Sequence, residues 1–368
     1  MKLLWITSRR LDEDGCANTQ RGAAAALAAR GWTIEWVAPA YSSGVGEVHR
    51  AHRSRRTGRG ATSFRKSVKQ VLGKLELSEY NVAIVEWQAV SGAYQALSDA
   101  GIPFVVMDRS PPVASGIIGA LQRIEYKLAW KKTRKFAFGV CAKSQALANS
   151  LASRVKGLPM AIMPAGVDVN TFHPIKNAGS DATVIVCHGS MDKVRRLDSL
   201  VGVVSAARSK TGKDLRLRLF GAGANAAVLR AMARNRPWLE VLPSQKQAVV
   251  PNLVNSADIG VMALPNKPVW RFASPLKVAE FAASGLPVIS SDVAGLAAYA
   301  EQDWLRLTSL GDDAAVLNAL CELVALDSQT LNRLGDEARN AAIANMTWTT
   351  TTTELHELLC SAAAISGV

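Results

Sequence analysis

The sequence predicts an α/β protein with two doubly wound parallel sheets. Along the chain, short apolar runs alternate with segments in which apolar residues recur at the spacing of a helix. This alternation is typical of parallel strands covered by helices. The alternation occurs twice, and the two series are separated at Asn170–Asp181 by a stretch with a proline, a glycine and several polar residues. The length of 368 residues also fits two domains, at roughly 150 residues each.

The first domain is expected over residues 1–172. Its apolar runs of strand length are Lys2–Thr7, Thr33–Ala38, Val82–Trp87, Pro103–Met107, Phe138–Ala142 and Met160–Met163. An alanine-rich helix is expected at Gly22–Arg30, because Gly31 supplies a typical helix end. A second helix, Leu121–Lys135, has three apolar residues at helical spacing with basic residues between them.

The second domain is expected over residues 182–346. Its predicted strands are Thr183–Cys187, Leu215–Phe220, Leu239–Leu242, Ile259–Ala263 and Val288–Ser290. Residues 347–368 are expected to form a helix that packs back toward the first domain, with a bend at the threonine run Thr349–Thr353. Ligands of such sheets bind beyond the carboxyl ends of the strands, so an active site is expected in a cleft between the domains.

Basic residues outnumber acidic ones, 43 to 30, and concentrate in the first half of the chain. Nine of them, with no acidic residue, lie in Arg50–Lys74, and a second cluster in Arg123–Lys135 has only Glu125 as a counter-charge. Such clusters attract nucleic acid, an anionic membrane or a phosphate-bearing substrate. A solvated face that keeps the protein soluble is the simpler alternative.

Several sequence features that mark other classes of protein do not occur in this chain. No apolar run reaches the roughly 18 residues needed to cross a bilayer. The apolar run at the N-terminus is interrupted by charged residues too early for a signal peptide. The five cysteines are scattered, so neither a metal site nor a disulfide framework is expected, and the cytoplasm is the expected location. Neither G-x-S-x-G nor a P-loop occurs, and His173 and His188 are expected to be structural.

The most informative stretch is residues 268–292. It predicts a helix, Pro275–Ala283, after a proline-rich loop and before a glycine turn and a strand. A helix start binds phosphate through its free N–H groups and its positive dipole end. Arg271 and Lys277 add charge there, while Glu280 is placed to accept hydrogen bonds from sugar hydroxyls. The pattern favours a nucleotide-sugar site; an ordinary αβ unit with solvated charges is the alternative.

A second loop of this domain, His188–Asp198, is expected to meet the same site. Its Gly189 permits close backbone approach, and its cations are candidates for binding a diphosphate. These cations are Lys193, Arg195 and Arg196.

A third loop, Gly221-Ala222-Gly223, matches G-x-G-x-x-A when Ala226 is included. Glu240 follows this loop at nearly the distance in sequence expected of a residue that binds the ribose of a dinucleotide. An NAD-dependent oxidoreductase therefore stays open as an alternative. A tight glycine turn after a strand explains the match equally well.

Polar residues at strand ends of the first domain are candidates for the acceptor side. They are Arg9, Arg10, Glu86, Trp87, Asp108 and Arg109. Asp14-Gly15 also precedes a helix after the first strand. Nucleic-acid binding, another alternative, is disfavoured because the basic stretch Arg50–Lys74 holds only Phe64 as a stacking residue.

Taken in order, these residues resemble the retaining glycosyltransferases of the GT-B fold (family 4-like), a group that includes sucrose synthases, glycogen synthases and bacterial mannosyl- and glucosyltransferases. The similarity extends over nearly the full length. It is carried by Met163–Asp168 with Phe172 and Pro174, Gly189–Leu200, Ala257–Ile259, Ser274–Pro287 and Trp348.

The resemblance implies two Rossmann-like domains facing across a cleft and transfer of a sugar, with retained configuration, from a UDP- or GDP-linked donor. No other cofactor and no metal are implied. Neutralising the leaving diphosphate is the main catalytic task, and it is electrostatic. The residues implied in catalysis are Arg195, Lys277 and Asp108. Those implied in donor binding are Gly15, Gly189, Ser190, Lys193, Arg196, Phe272, Ser274, Pro275, Leu276 and Glu280.

Departures from the family pattern predict an unusual donor-sugar pocket. Phe272 stands where the family commonly has a glutamate, Ser190 replaces an arginine, and Arg195 replaces the diphosphate lysine. The basic first domain predicts an anionic acceptor, with a lipid-linked or membrane-surface glycan the first choice and an acidic soluble one the second. A peripheral location on the inner membrane face follows from the first choice.

Overall fold

The computed structural model describes residues 1–11, 18–39, 46–52, 60–109, 111–112, 116–175 and 182–366. The chain forms two compact units, the first comprising Met1–Pro164 and Trp348–Val368 and the second Ala165–Thr347. The segment expected to join two domains, Asn170–Asp181, therefore belongs to the second unit, and its residues 176–181 lie outside the described part.

The strands are β1 (Lys2–Ile6), β2 (Thr33–Ala38), β3 (Glu47–Arg50), β4 (Val82–Glu86), β5 (Phe104–Asp108), β6 (Gly139–Ala142), β7 (Met160–Ile162), β8 (Thr183–Ser190), β9 (Leu215–Ala222), β10 (Leu239–Leu242), β11 (Ile259–Met262), β12 (Val288–Ser291) and β13 (Leu305–Thr308). The helices are α1 (Asn18–Ala29), α2 (Gly60–Leu72), α3 (Val90–Asp99), α4 (Gly116–Phe136), α5 (Gln145–Ala152), α6 (Leu197–Thr211), α7 (Ala226–Ala233), α8 (Val250–Asn255), α9 (Leu276–Ala283), α10 (Asp313–Ala325), α11 (Ser328–Asn345), α12 (Trp348–Thr351) and α13 (Thr353–Ser366). Short 3-10 turns, among them Lys193–Arg195 and Pro268–Phe272, connect some of these elements.

Both sheets are parallel, as predicted. The described strands of the first unit lie in the order β3-β2-β1-β4-β5-β6-β7, and those of the second in the order β10-β9-β8-β11-β12-β13. In each sheet the order reverses beside the first strand of the unit, β1 or β8, which is the topological switch point where ligands of doubly wound sheets bind.

Two strands escaped prediction because neither is a continuous apolar run. Strand β3 has the sequence EVHR, and β13 has the sequence LRLT. Each pairs at the edge of its sheet, β3 on β2 and β13 on β12. An edge strand keeps one face or side in water and therefore needs fewer apolar residues.

The C-terminal helices complete the first unit. Leu355, Leu358 and Leu359 of α13 are buried in the same core as residues of β1 and β4. A bend was predicted in the threonine run, and the helix assignment is interrupted there at one residue: α12 ends at Thr351 and α13 begins at Thr353. The ring of Trp348 lies directly on α1, where a Cβ added to Gly22 would be 2.2 Å from it.

Within the described residues, no individual helix has the length and apolar composition of a membrane span. One pair, α10 with α11, passes that test jointly and is bent by 116°.

Candidate functional site

The first part of the site is an extension of β8 and β9 that the sequence did not predict. Gly189 and Ser190, expected in a loop, are the last residues of β8 and pair with Gly221 and Ala222 of β9. This pairing requires glycine, since a Cβ on Gly221 would lie 1.7 Å from the carbonyl oxygen of Gly189. The glycines therefore let the two strand ends approach each other.

The turn after β9 folds back on the residues that follow β8. A Cβ on Gly223 would lie 2.3 Å from the carbonyl carbon of Met191, and the amide of Ala224 donates to Asp192 over 3.2 Å. The G-x-G-x-x-A match thus has a packing explanation within the second unit. The oxidoreductase alternative loses the feature that suggested it.

Two predicted cations converge on the end of β8. The side chain of Lys277 passes over Gly189, where a Cβ would lie 3.2 Å from its Cε. Burial raises the pKa of the Cys187 thiol in β8, and the positive charges of Arg195 and Lys277 both oppose that shift, so both cations lie in the surroundings of this strand. The structure therefore brings Arg195, Lys277 and Gly189 together.

The guanidinium of Arg195 lies over the ring of Trp270, 5.5 Å from its centre. Its Nε is buried and has no hydrogen-bond partner in the part of the chain that the structure describes. Burial lowers the pKa of Arg195, because a cation withdrawn from water is disfavoured until an anion approaches. A buried guanidinium of this kind is therefore a candidate for binding a phosphate.

The other two cations of the loop are more exposed than Arg195. Lys193 is exposed, and Arg196 turns away to Asp313 at the start of α10, with 3.1 Å between Nη2 and Oδ2. Arg196 has a left-handed backbone, with φ of 51°, which reverses the chain before α6. Arg195 and Arg196, adjacent in sequence, thus have different surroundings.

Helix α9 begins one residue later than predicted, with Pro275 as its N-cap rather than its first residue. No side chain of the described residues caps this end, and the first turn holds no acidic residue. The preceding loop is fixed on both sides: the Ser274 hydroxyl accepts from the Ala165 amide over 2.8 Å, and the Gly295 amide donates to the Ala273 carbonyl over 2.9 Å. Fixed, uncapped N–H groups suit an anionic ligand.

Glu280 lies one turn into α9 with its side chain buried. Its Oε2 is 3.0 Å from Nε2 of His188, but the two atoms are not aligned as a hydrogen bond. Both lack a hydrogen-bond partner among the described residues. His188 is held by its neighbours, stacked on Phe220 at 4.8 Å and edge-on to Phe281 at 5.6 Å. Sequence reasoning missed this contact, since only the strand register puts His188 beside α9.

Phe272 is half-buried at the end of the 3-10 turn Pro268–Phe272. It lies two residues before Ser274 and two after Trp270, so the segment that carries the Arg195 contact also carries Phe272. No pattern in the sequence indicates that Arg195 would contact Trp270.

A small, open pocket lies beyond the carboxyl ends of the strands in the second unit. Arg195 and Arg196 line one side, and the ends of β11, β12 and β13, together with residues of α6 and the start of α10, line the rest. Its other lining residues are Leu197, Leu200, Val203, Ala263, Leu264, Pro265, Ser291, Ser309, Gly311, Asp312, Asp313 and Val316. The pocket adjoins the cation cluster through Arg195.

The first unit gathers charged groups at the carboxyl ends of β1, β5 and β6. Asp108 is fully buried and accepts from the hydroxyl of Tyr126. Lys143 follows β6 close to it, and burial lowers the pKa of Lys143 to about 8, with Arg109 and Arg9 adding to the shift and Asp108 opposing it. Sequence reasoning missed Lys143, although a charged residue directly after an apolar strand is the signal used for Asp108.

The remaining acceptor-side candidates are held by the protein itself. Glu86 is buried and accepts from the Ser8 amide over 3.2 Å and from the Gln20 side chain over 2.6 Å. Trp87 is buried edge-on against Tyr126 at 5.0 Å. A buried carboxylate needs such partners, so Glu86 ties the end of β1 to α1 rather than presenting free oxygens.

Two arginine candidates of this edge also have internal contacts. Arg109 donates to the Met163 carbonyl over 2.9 Å, and the backbone amide of Arg9 donates to Thr7 over 3.1 Å. Both Arg9 and Arg10 are partly exposed. Gly15, with Asp14, lies outside the described residues.

Comparison with known proteins shows the fold of the chain and a family match for its second unit. Residues 182–325 match the family model described as Glycosyl transferases group 1. Sucrose-phosphate synthase from Thermosynechococcus elongatus is a similar solved structure, with 18% identity, 99% of each chain covered and a TM-score of 0.78. HepE from Anabaena, in complex with UDP and glucose, has 15% identity over 98% of this chain and 100% of that one, with a TM-score of 0.74. No curated protein matched by sequence.

A third similar structure is WaaG, a glycosyltransferase involved in lipopolysaccharide biosynthesis, with 14% identity, 99% of each chain covered and a TM-score of 0.70. Two parallel sheets with flanking helices match the fold of these proteins, so the predicted GT-B fold class is confirmed. The second unit also matches the family model, so the chain combines the GT-B fold with a donor-side unit similar to those of the glycosyl transferases group 1.

Proposed function

We propose that the protein transfers a sugar, with retention of anomeric configuration, from a uridine diphosphate donor to an anionic glycan acceptor. The bond between the sugar C1 and the diphosphate oxygen breaks, and a bond from C1 to an acceptor oxygen forms. The proton of the acceptor hydroxyl passes to the oxygen of the leaving diphosphate, and the nucleoside diphosphate departs. The support for uridine comes from HepE, whose structures hold UDP or UDP-glucose.

The donor diphosphate would bind between the start of α9 and the cations at the end of β8. Uncapped N–H groups at Leu276 and Lys277, the ammonium of Lys277 and the guanidinium of Arg195 all favour negative charge there. Charge develops on the diphosphate as the C1–O bond breaks. Cations that are already in position stabilise this charge without reorganisation, which lowers the barrier.

The uridine would occupy the second unit near the pocket beside Arg195, with its ribose on Glu280. The single observation that carries this assignment is the buried Glu280 carboxylate, whose Oε2 lacks a hydrogen-bond partner in the described residues. The nearest group, Nε2 of His188 at 3.0 Å, is not aligned as a hydrogen bond to this oxygen, and a buried acceptor without an aligned donor is costly. The two ribose hydroxyls are donors of the right kind, and their binding would remove that cost.

The sugar of the donor would lie near Phe272. An aromatic ring offers no acceptor for sugar hydroxyls, whereas the glutamate common in the family does. We therefore propose a donor sugar that presents fewer hydroxyls, or an apolar face, to this position.

The acceptor would bind at the charged edge of the first unit, where Lys143, Arg109 and Asp108 lie near one another. The surplus of basic residues in this unit favours a negatively charged acceptor. We propose a lipid-linked or membrane-surface glycan, which gives the enzyme a peripheral location on the cytoplasmic face of a membrane.

A thermal-shift panel of UDP, GDP, ADP and NAD tests the donor assignment. UDP is expected to raise the Tm of the wild type and of Glu240→Ala, the residue suggested by the oxidoreductase alternative, but not of Glu280→Ala. Stabilisation by NAD alone, or equal UDP stabilisation of all three proteins, would contradict the proposal.

A further inference from the structure

Helix α4 presents an apolar stripe to solvent. The exposed fractions of Ile117, Leu121, Ile124 and Leu128 are 82%, 57%, 54% and 43%. At ~100° per residue these four side chains fall within about 60° of one another around the helix axis. A single exposed leucine is ordinary, but four in line on one helix form a contiguous surface.

The stripe is not the face by which α4 packs on the protein. That buried face consists of Gly119, Tyr126, Ala129, Trp130 and Thr133. By the same helical geometry it lies on the opposite side of the helix, about 180° away. The helix therefore has two apolar faces, and the first unit covers only one of them.

Basic residues flank the exposed stripe along one side. Arg123, Lys127, Lys131 and Arg134 are all exposed, and they lie between about 50° and 130° from its centre. The only acidic residue of the helix, Glu125, is paired with Arg65 of α2. Its charge is thus neutralised, and the exposed surface of α4 is uniformly basic.

An apolar stripe bordered by cations fits the interface of an anionic membrane. Such a helix lies in the plane of the surface, with its leucines and isoleucines between the acyl chains and its lysines and arginines at the phosphates. A second copy of the chain is a poor partner, because two such surfaces would bring at least eight cations together without counter-charges. Nucleic acid would leave the stripe in water.

We propose that α4 is an interfacial docking helix that inserts Ile117, Leu121, Ile124 and Leu128 into the headgroup region of an anionic phospholipid membrane. This inference deepens the peripheral location proposed above and names the surface responsible. It does not depend on the donor chemistry, because all of its residues lie in the first unit.

Vesicle flotation of the full chain tests the proposal. The vesicles are phosphatidylcholine alone or phosphatidylcholine with about 30% phosphatidylglycerol, chosen to supply the surface charge that basic segments recognise. The triple variant Leu121→Asn/Ile124→Asn/Leu128→Asn removes most of the stripe and keeps the charge. Val228→Asn/Val249→Asn/Ile343→Asn makes the same changes at exposed positions of the second unit.

Wild type and the control variant are expected to float with the anionic vesicles and not with the neutral ones. The stripe variant is expected to bind at least about tenfold more weakly, since apolar insertion accounts for much of the affinity of such helices. Equal Tm values and equal UDP-induced shifts establish that all three proteins are folded and that the donor site is intact.

Three outcomes would overturn the inference. They are equal binding of neutral and anionic vesicles by the wild type, no binding of either, and equal binding by the stripe and control variants. A concentration-dependent dimer in sedimentation, present in the wild type and lost in the stripe variant, would assign the stripe to a second copy instead. A failure of UDP to bind, with vesicle binding intact, would count only against the donor proposal.

Discussion

The Oε2 atom of Glu280 lies 3.0 Å from Nε2 of His188, and neither atom has a hydrogen-bond partner in the described chain. Packing holds the pair: Phe220 and Phe281 fix the imidazole, and α9 fixes the carboxylate. Buried polar atoms of this kind are expected where a ligand completes the network.

Removing the negative charge of Glu280 is therefore expected to weaken UDP binding. For Glu280→Gln, the Kd of UDP should rise about tenfold, or ~1.4 kcal/mol, because a hydrogen bond to a charged acceptor becomes a neutral one. Calorimetry of UDP and 2′-deoxy-UDP measures this effect. The variant should discriminate less between the two ligands than the wild type does; unchanged discrimination would mean that Glu280 does not contact the ribose.

Arg195 is expected to act mainly on turnover. In Arg195→Met, kcat should fall by a factor of about 100 or more, the size of effect seen when a preorganised charge partner of the transition state is removed. Arg195→Lys should recover part of this loss, since it keeps the charge but not the planar contact with Trp270. Donor hydrolysis or transfer assays measure both.

The matched control for Arg195 is its neighbour. Arg196→Met removes the same charge from the same loop, but the Arg196 side chain is already paired with Asp313. A small change in kcat is expected. If the two methionine variants lost activity equally, the convergence of Arg195 and Lys277 at β8 would not be the basis of catalysis.

Much of the fold was predictable because most strands of both sheets are short, largely apolar runs. The strands β2 and β10 have the predicted bounds, and the glycine turn before β12 lies where expected. Strands β3 and β13 could not be predicted, because their sequences EVHR and LRLT carry no continuous apolar run. Their pairing depends on neighbours that are distant in sequence.

Only those site residues could be predicted whose charged side chains directly follow a strand or lie at the start of a helix. Arg195 and Lys277 are 82 residues apart, by subtraction of their numbers, yet converge because β8 and α9 are adjacent in the fold. The different surroundings of Arg195 and Arg196 depend on one left-handed residue. Lys143 carries a local signal, but its lowered pKa arises from burial, with Arg109 and Arg9 adding to the shift and Asp108 opposing it.

The contact of Trp348 with α1 predicts a specific loss of stability. In Gly22→Ala the new Cβ would lie 2.2 Å from the indole ring, so either the helix or the ring must move. The free energy of unfolding should fall by about 1–3 kcal/mol, as is typical of overpacking. Urea denaturation monitored by tryptophan fluorescence and circular dichroism measures it.

Gly202 of α6 provides the control for this prediction. A Cβ added there meets nothing within 4 Å, and alanine is the better helix former, so Gly202→Ala should be neutral or stabilising by up to about 1 kcal/mol. Similar effects of the two substitutions would indicate that helix propensity, and not the Trp348 contact, determines the result.

The ionised Glu35 carboxylate is expected to make the first unit sensitive to acid. Burial alone would raise its pKa, but Lys2, Tyr80 and His49 together lower it from 4.5 to about 2. The Nζ of Lys2 is 2.8 Å from Oε1, and Nε2 of His49 is 2.9 Å from Oε2. A carboxyl with a lowered pKa in the folded state stabilises the protein fully above its unfolded value, and this contribution is lost as pH falls from about 4.5 toward 2.

The free energy of unfolding of the wild type should accordingly fall across that pH range, by about 1–3 kcal/mol from this group. Glu35→Gln should be less stable at pH 7, because the pairing with Lys2 is lost, and should show a flatter pH dependence below 4.5. Glu337→Gln, which alters an exposed pair with Arg333 on α11, should parallel the wild type. Denaturation curves at several pH values decide the matter, and a Glu35→Gln slope as steep as that of the wild type would assign the acid sensitivity to other carboxyl groups.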